Sequence, residues 1–400
     1  MRSRNRLGSF AAGLMSVPIR YRVTWTPFDA EMREALLRPV PGPIHYDGPE
    51  VEAFEAEAAA YLGVDHAVAV ASGTAALHLA LLALDIGPGD EVLMGANAYV
   101  ALPESTLQLG AQPVYCDVRA ETANPDRELL EPLVSDRSKA ILIVHYFGNP
   151  VDLDPILELA RERDLFVIED VAHALGGEYK GRKLGTLGDI GFASFARKII
   201  HVAGQGGMAF SGRADLADRM RRLRKHGWEL GDEELTRISE LGYNYSFSEC
   251  LAAVGRVGLS RIERYWRERE RNALRYSHAL EGLGVPARPL LASPWGRHGR
   301  LHYVIRVPQR DELKTYLADR GVECKIHYRQ PVYRLPHYLA RSGRDPGPRP
   351  VTDRLASEMI TLPSHPDMGE GVDEIVDMIA EFYTTTSGES WGEEGRAHDG

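Results

Sequence analysis

Three short segments of this 400-residue chain bring together residue types able to do chemistry. The first reads VAVASGT, Val68 to Thr74, where an apolar run breaks into Ser-Gly-Thr and an Ala/Leu-rich helical stretch follows. The amides of Gly73, Thr74 and Ala75 at such a helix start, with the Ser72 and Thr74 hydroxyls beside them, make a site for an anion such as phosphate. The second reads FVIEDVAH, an apolar strand that delivers Asp170 and, three residues on, His173. A carboxylate at the end of a buried strand needs a cationic partner. The third, GDIGFASFARK, leads through Ser194 to Lys198, and a loop ending GQGG follows. An amine there, kept neutral by nearby cations, is a nucleophile and a proton carrier. Singly, each segment has a structural reading too: Ser72 as a helix cap, Asp170 as a turn cap, His173 as a packed ring, Lys198 as a solvated side chain.

Taken together they suit pyridoxal phosphate. The turn would take its phosphate, Asp170 its protonated ring nitrogen, His173 a place near its ring hydroxyl and Lys198 its aldehyde. For these groups to meet, the elements carrying them must share one edge of a sheet. From residue 50 to about 224 the sequence alternates helical stretches (51–62, 74–84, 155–163, 214–224) with β-rich runs (67–71, 91–94, 113–118, 140–145, 165–169, 191–195, 207–210). Runs such as AILIVHY are apolar on both faces, as in a mostly parallel α/β sheet, and open sheets of that class bind ligands at their carboxyl edge. The expected organisation is an arm and helix over 1–46, a large α/β domain over 47–260, a linker helix with a smaller α+β domain over 261–388, and a polar tail over 389–400. In the smaller unit 302–307 and 323–328 read as strands, and 310–320 and 373–383 as helices.

The order SGTAALHLALLAL, PGDEVL, GAQPVYCDV, VHYFGNPVDLDPI, VIEDVAHALGGEYKGRKLGTLGDIG, SFARKII, GQGG, LRKHGW and LGYNYSFSE resembles the DegT/DnrJ/StrS aminotransferases from about residue 47 to 259, with LPSHP further on. The resemblance implies a fold type I transferase with a seven-stranded, mostly parallel sheet and pyridoxal 5′-phosphate as cofactor. It implies that Ser72, Gly73, Thr74 and Ser194 hold the phosphate, that Asp170 pairs with the ring nitrogen, that His173 lies near the ring hydroxyl and that Tyr99 stacks on the ring. It also implies that Lys198 is the Schiff-base lysine and that Asn244 reaches the phosphate from a partner subunit, which makes the enzyme a homodimer. The activity implied is transfer of an amino group from L-glutamate or L-glutamine to a keto-sugar or keto-cyclitol, in amino-sugar or aminoglycoside metabolism; the opening VTWTPFDAEMREAL is similar to that of cyclitol aminotransferases. His327, Tyr328, Arg329, Tyr333 and His337, in IHYRQPVYRLPHY, have the types that line a sugar pocket or a solvated loop alike.

The chain departs from the family pattern in three places. Lys198 comes one residue early after Ser-Phe, Gln205 stands where Glu is common in GEGG, and Ser246 stands where Arg often follows NY. The early lysine leaves open a related reaction such as epimerisation, dehydration or oxidation, with His201 nearby, and a binding or regulatory protein on the same fold is a third reading. With 47 Lys and Arg against 57 Asp and Glu the net charge is −10, and no basic stripe suggests a nucleic-acid partner. No apolar stretch approaches the roughly 20 residues that span a bilayer. Three scattered cysteines form neither a metal pair nor a disulfide framework, so a cytoplasmic setting without a metal is expected.

Overall fold

The computed structural model describes residues 17–43, 45–196, 199–231, 236–342 and 346–386. Lys198, the first 16 residues and the tail from 387 on lie outside them. The strands are β1 (His66–Val70), β2 (Glu91–Gly95), β3 (Gln112–Cys116), β4 (Ser138–Val144), β5 (Phe166–Asp170) and the short pair β6 (Glu178–Tyr179) and β7 (Arg182–Lys183). They continue with β8 (Ile190–Ser194), β9 (Gly207–Ser211), β10 (Arg288–Pro289), β11 (Tyr303–Arg306) and β12 (Met359–Leu362).

Seven of these form one sheet in the order β1-β9-β8-β5-β4-β2-β3, with β9 antiparallel to both neighbours and the other pairs parallel. The apolar runs explain it. Along each central strand alternate residues enter opposite cores: Leu93, Ile141, Ile143 and Val167 pack on one face, and Val92, Met94, Leu142 and Ile168 on the other. The helix Pro49–Leu62 covers the first face and the helix Gly73–Ala83 the second. Because β9 reverses twice, β1 runs the same way as β8 and β5, so all three end at one edge: Val70 and Ser194 both pair with Gly207, and Asp170 pairs with Phe192.

A third core lies beyond the helix Ile262–Gly282. It joins Tyr276, Tyr303, Ile305, Leu313, Ile360 and Ile375 around the sheet β10-β11-β12. The expected strand over 323–328 is not formed. That segment is pinned at single points instead, with Glu323 N on Tyr21 O at 2.8 Å, Lys325 N on Thr361 O at 3.1 Å and Thr361 N on Lys325 O at 2.8 Å. β12 takes the place beside β11, so 323–328 is left as a connector between the amino-terminal segment and β12.

Candidate active site

The carboxyl ends of β1, β5 and β8 open into a cavity of about 340 Å³, lined by Ser72, Gly73, Thr74, Tyr99, Asp170, His173, Ser194, His327 and Tyr328 among others. Nine sequence-predicted residues therefore meet at one place. Ser72 caps the helix Gly73–Ala83, its Oγ accepting from Ala75 N at 3.0 Å, and the first two helical residues, Gly73 and Thr74, whose amides have no partner within a helix, line the cavity. Two glycines allow the close approach that shapes this turn. A Cβ on Gly73 would meet Ser194 Cβ at 2.6 Å, and one on Gly207 would meet the Ser72 carbonyl at 2.4 Å. That is the physical content of the second glycine in GQGG: only a residue without a side chain at 207 lets β9 pass behind the turn.

Asp170 is only 6% exposed, and its Oδ1 accepts from Ala172 N at 2.8 Å, which aims the carboxylate across the strand end. The residue before it went unremarked in the sequence. Glu169 is wholly buried: Oε1 accepts from Leu187 N and Gly188 N, both at 2.7 Å, and Oε2 from Gly185 N at 2.8 Å and His145 Nε2 at 3.1 Å. The His145 ring is oriented by Val151 N, which donates to Nδ1 at 3.1 Å and so places the ring proton on Nε2. Burial pushes the Glu169 carboxyl up, but His145 and the backbone donors outweigh it and hold the group below its ordinary value. Glu169 thus fastens the GTLGD loop to the strand that ends in Asp170. A carboxylate inside an apolar strand, followed by a glycine-rich loop, is the signal that could have found it.

Opposite the sheet, three imidazoles meet. The His302 ring lies 4.9 Å from His173, at 87°, and 4.7 Å from His327, whose Nδ1 is 2.9 Å from Thr361 Oγ1. His302 was not singled out in the sequence, because it comes from beside β11, far along the chain from β5. Tyr99, half exposed at the mouth, has its ring 5.7 Å from that of Tyr328. The floor is Tyr146, fully enclosed, its hydroxyl donating to Asn97 O at 2.5 Å and its amide to Asn124 Oδ1 at 3.1 Å.

Other candidates lie elsewhere. Tyr333 is buried away from the cavity, with its hydroxyl 2.8 Å from both Asp353 oxygens and accepting from Arg349 N at 3.0 Å. These partners lie 16 to 20 residues further along the chain, and Tyr333 is not among the residues that line this cavity. Arg329 pairs with Asp311 at 2.9 Å, and His337 is exposed beside Tyr338. Asn244 is exposed and does not line the cavity of its own chain. The Ser246 hydroxyl donates to Asp47 at 2.5 Å, whereas Gln205 does line the cavity. His201 turns toward Phe28, with ring centroids 6.3 Å apart, and is absent from the lining.

A mostly parallel α/β sheet whose carboxyl edge brings a Ser-Gly-Thr helix start and a buried carboxylate to one cavity, with the solved structures it matches, defines a fold type I pyridoxal-phosphate enzyme. The chain belongs to the DegT/DnrJ/EryC1/StrS aminotransferase family, whose model matches residues 29–380, and it is an aminotransferase that uses this cofactor. It is 37% identical over 330 residues to the GDP-perosamine synthase of Caulobacter vibrioides, covering 81% of this chain and 87% of that one. It is 34% identical over 340 residues to the dTDP-3-amino-3,4,6-trideoxy-alpha-D-glucose transaminase of Streptomyces venezuelae, covering 85% and 88%. Among solved structures, S. venezuelae DesV in complex with a ketimine intermediate superposes with a TM-score of 0.84 at 33% identity, covering 89% of this chain and 95% of that one. The residues present fit the cofactor: an anion turn at one end of the cavity, a buried carboxylate at the strand end, and the Tyr99 ring at the mouth. No helix among the described residues is long and apolar enough to cross a membrane.

Proposed function

We propose that this chain is a sugar aminotransferase, moving an amino group from L-glutamate or L-glutamine to a keto-sugar or keto-cyclitol. The observation that carries this reading is the convergence of the Ser72–Thr74 turn, Asp170 and His173 on one cavity that His327, Tyr328 and Gln205 also line. The names of the relatives support the sugar, since both refer to nucleotide-linked amino sugars.

When bound, pyridoxal phosphate supplies the electron sink that makes the C–H next to the donor's nitrogen acidic. In this reading Ser72, Gly73, Thr74 and Ser194 hold the phosphate, and the Asp170 carboxylate keeps the proton on the ring nitrogen. His173 stands by the ring hydroxyl and Tyr99 covers the ring. Lys198 holds the cofactor aldehyde between turnovers and, once released, moves the proton from the donor's α-carbon. Among the other lining residues, His327, Tyr328 and Gln205 offer polar groups to the acceptor's hydroxyls.

We further infer a homodimer in which Asn244 completes the partner's phosphate site. Support comes from its exposure outside its own cavity and from Leu230, Ile238 and Leu241 on the same segment, 48%, 62% and 92% exposed. A division into a large domain over 47–260 and a smaller one over 261–388 is supported by the separate core around β11 and β12. The setting we infer is amino-sugar or aminoglycoside metabolism in the cytoplasm; three free thiols accord with a reducing compartment, and the opening segment with the metabolism.

The test incubates holoenzyme with each donor, follows the visible spectrum, then adds keto-sugars and weighs the products. The expected result is a spectral change with one donor and an acceptor carrying an amine in place of its keto oxygen. An unchanged spectrum with both donors, and acceptors returned epimerised or dehydrated, would overturn the proposal.

A further inference from the structure

His78 sits on the helix that starts at the phosphate turn, buried to 7% exposure, and the active site does not use it. Its Nδ1 lies 3.0 Å from the Tyr245 hydroxyl. Its ring also meets the edge of Tyr243 at 4.8 Å, and the two tyrosine rings stack on each other at 5.1 Å and 12°. Burial lowers the His78 pKa and raises that of Tyr245, so a neutral imidazole meets a neutral hydroxyl.

The backbone of the same segment is fixed as well. Tyr243 N donates to Leu223 O at 2.7 Å and Tyr245 N to Arg224 O at 2.9 Å. Ala71 N, one residue before the turn, donates to Tyr245 O at 3.0 Å. Tyr245 is therefore tied to its own phosphate turn on both sides, by backbone before it and by side chain after it. In an extended segment successive side chains point to opposite faces. With Tyr243 and Tyr245 both turned onto the helix, Asn244 is directed outward, and it is exposed.

We propose that the His78–Tyr245 hydrogen bond is a positioning device that couples the phosphate turn of one protomer to the Asn244 it offers its partner. This rests on the reading that Asn244 completes the partner's site. The helix that shapes one cofactor pocket then also sets the reach of the residue that finishes the other, and loss of the bond is felt in trans.

Mixed dimers test this. One protomer carries Lys198→Ala, so that only its partner gives the lysine-linked visible band, and a Lys198→Ala homodimer without the band is the control. Cofactor affinity is read by titrating that band, with dimer mass checked by light scattering. Tyr245→Phe on the Lys198→Ala protomer is expected to weaken cofactor binding at the partner's site by roughly three- to tenfold, the range for one lost hydrogen bond. The same change on the band-giving protomer has the smaller effect, and His78→Phe added to Tyr245→Phe has no further effect. If Asn244→Ala in trans weakens binding but Tyr245→Phe acts only in cis or not at all, the proposal falls and the shared site stands. If Asn244→Ala in trans leaves affinity unchanged, the shared-site reading falls and the coupling with it.

Discussion

Replacing Glu169 with Gln keeps the shape of the side chain and removes one acceptor from a site with four donors. The amide oxygen can serve Leu187 N and Gly188 N, both now at 2.7 Å from one carboxylate oxygen. The new NH₂ then faces Gly185 N–H and His145 Nε2–H, two donors against a donor. His145 cannot resolve this by changing tautomer, because Nδ1 would then present a proton to Val151 N–H. Turning the amide over only moves the conflict to Leu187 and Gly188. At least two buried donors lose their acceptor, at about 1–3 kcal/mol each, so the contact that closes the loop 185–188 onto the strand is weakened by about 2–6 kcal/mol. With a factor of ten per 1.4 kcal/mol, local opening rises by roughly one and a half to four orders of magnitude. Hydrogen exchange read by mass spectrometry on peptides covering 183–190 measures this directly. Exchange as slow as in the wild type would refute the reasoning, since it would mean that Glu169 does not hold the loop.

Acid should act on the same carboxylate. Its folded-state pKa is depressed, so its stabilisation is fully present above the unfolded value of about 4.3 and is lost as pH falls through the lower folded value. The gap in melting temperature between wild type and Glu169→Gln is therefore expected to be constant near neutrality and to narrow in acid; a gap that widens in acid contradicts the sign. Gly207→Ala drives a Cβ into the Ser72 carbonyl and should weaken cofactor binding by roughly five- to 150-fold, the equivalent of about 1–3 kcal/mol of overpacking, while Gly212→Ala, with open space around it, leaves affinity unchanged. Equal titration curves for the two variants would remove the turn's close approach from the account. Tyr333→Phe should lower stability by about 1–3 kcal/mol in denaturant and leave the KM for the acceptor alone, whereas Tyr328→Phe should change that KM. The opposite pattern would return Tyr333 to the substrate.

The central sheet was legible in the sequence because its strands are apolar on both faces, so Ala140 to Val144 or Val167 to Ile168 carry the signal within a few residues. The site edge was legible for the same reason: a strand that ends at Asp170 delivers it to the edge. Elements that depend on distant partners were not. The helix Ala101–Gln108 is short and contains Pro103, and β12 is recognisable only once β11 lies beside it. Residues 323–328 alternate like a strand, yet their backbone is held at single points, by Tyr21 and Thr361, instead of along a ladder. The imidazole cluster joins β5, the start of β11 and the connector, a meeting that no local pattern announces. The Asp353 partner of Tyr333 was not legible either, because an aromatic among polar residues looks alike whether its hydroxyl meets a sugar or a carboxylate 20 residues further on.

The most direct test of pyridoxal-phosphate aminotransferase chemistry at this edge is borohydride reduction of the holoenzyme followed by peptide mapping, with and without prior exposure to L-glutamate or L-glutamine. The expected result is a single reduced adduct on Lys198 that disappears when the effective donor is added first. An adduct on another lysine, or one on Lys198 that both donors leave untouched, would contradict the account.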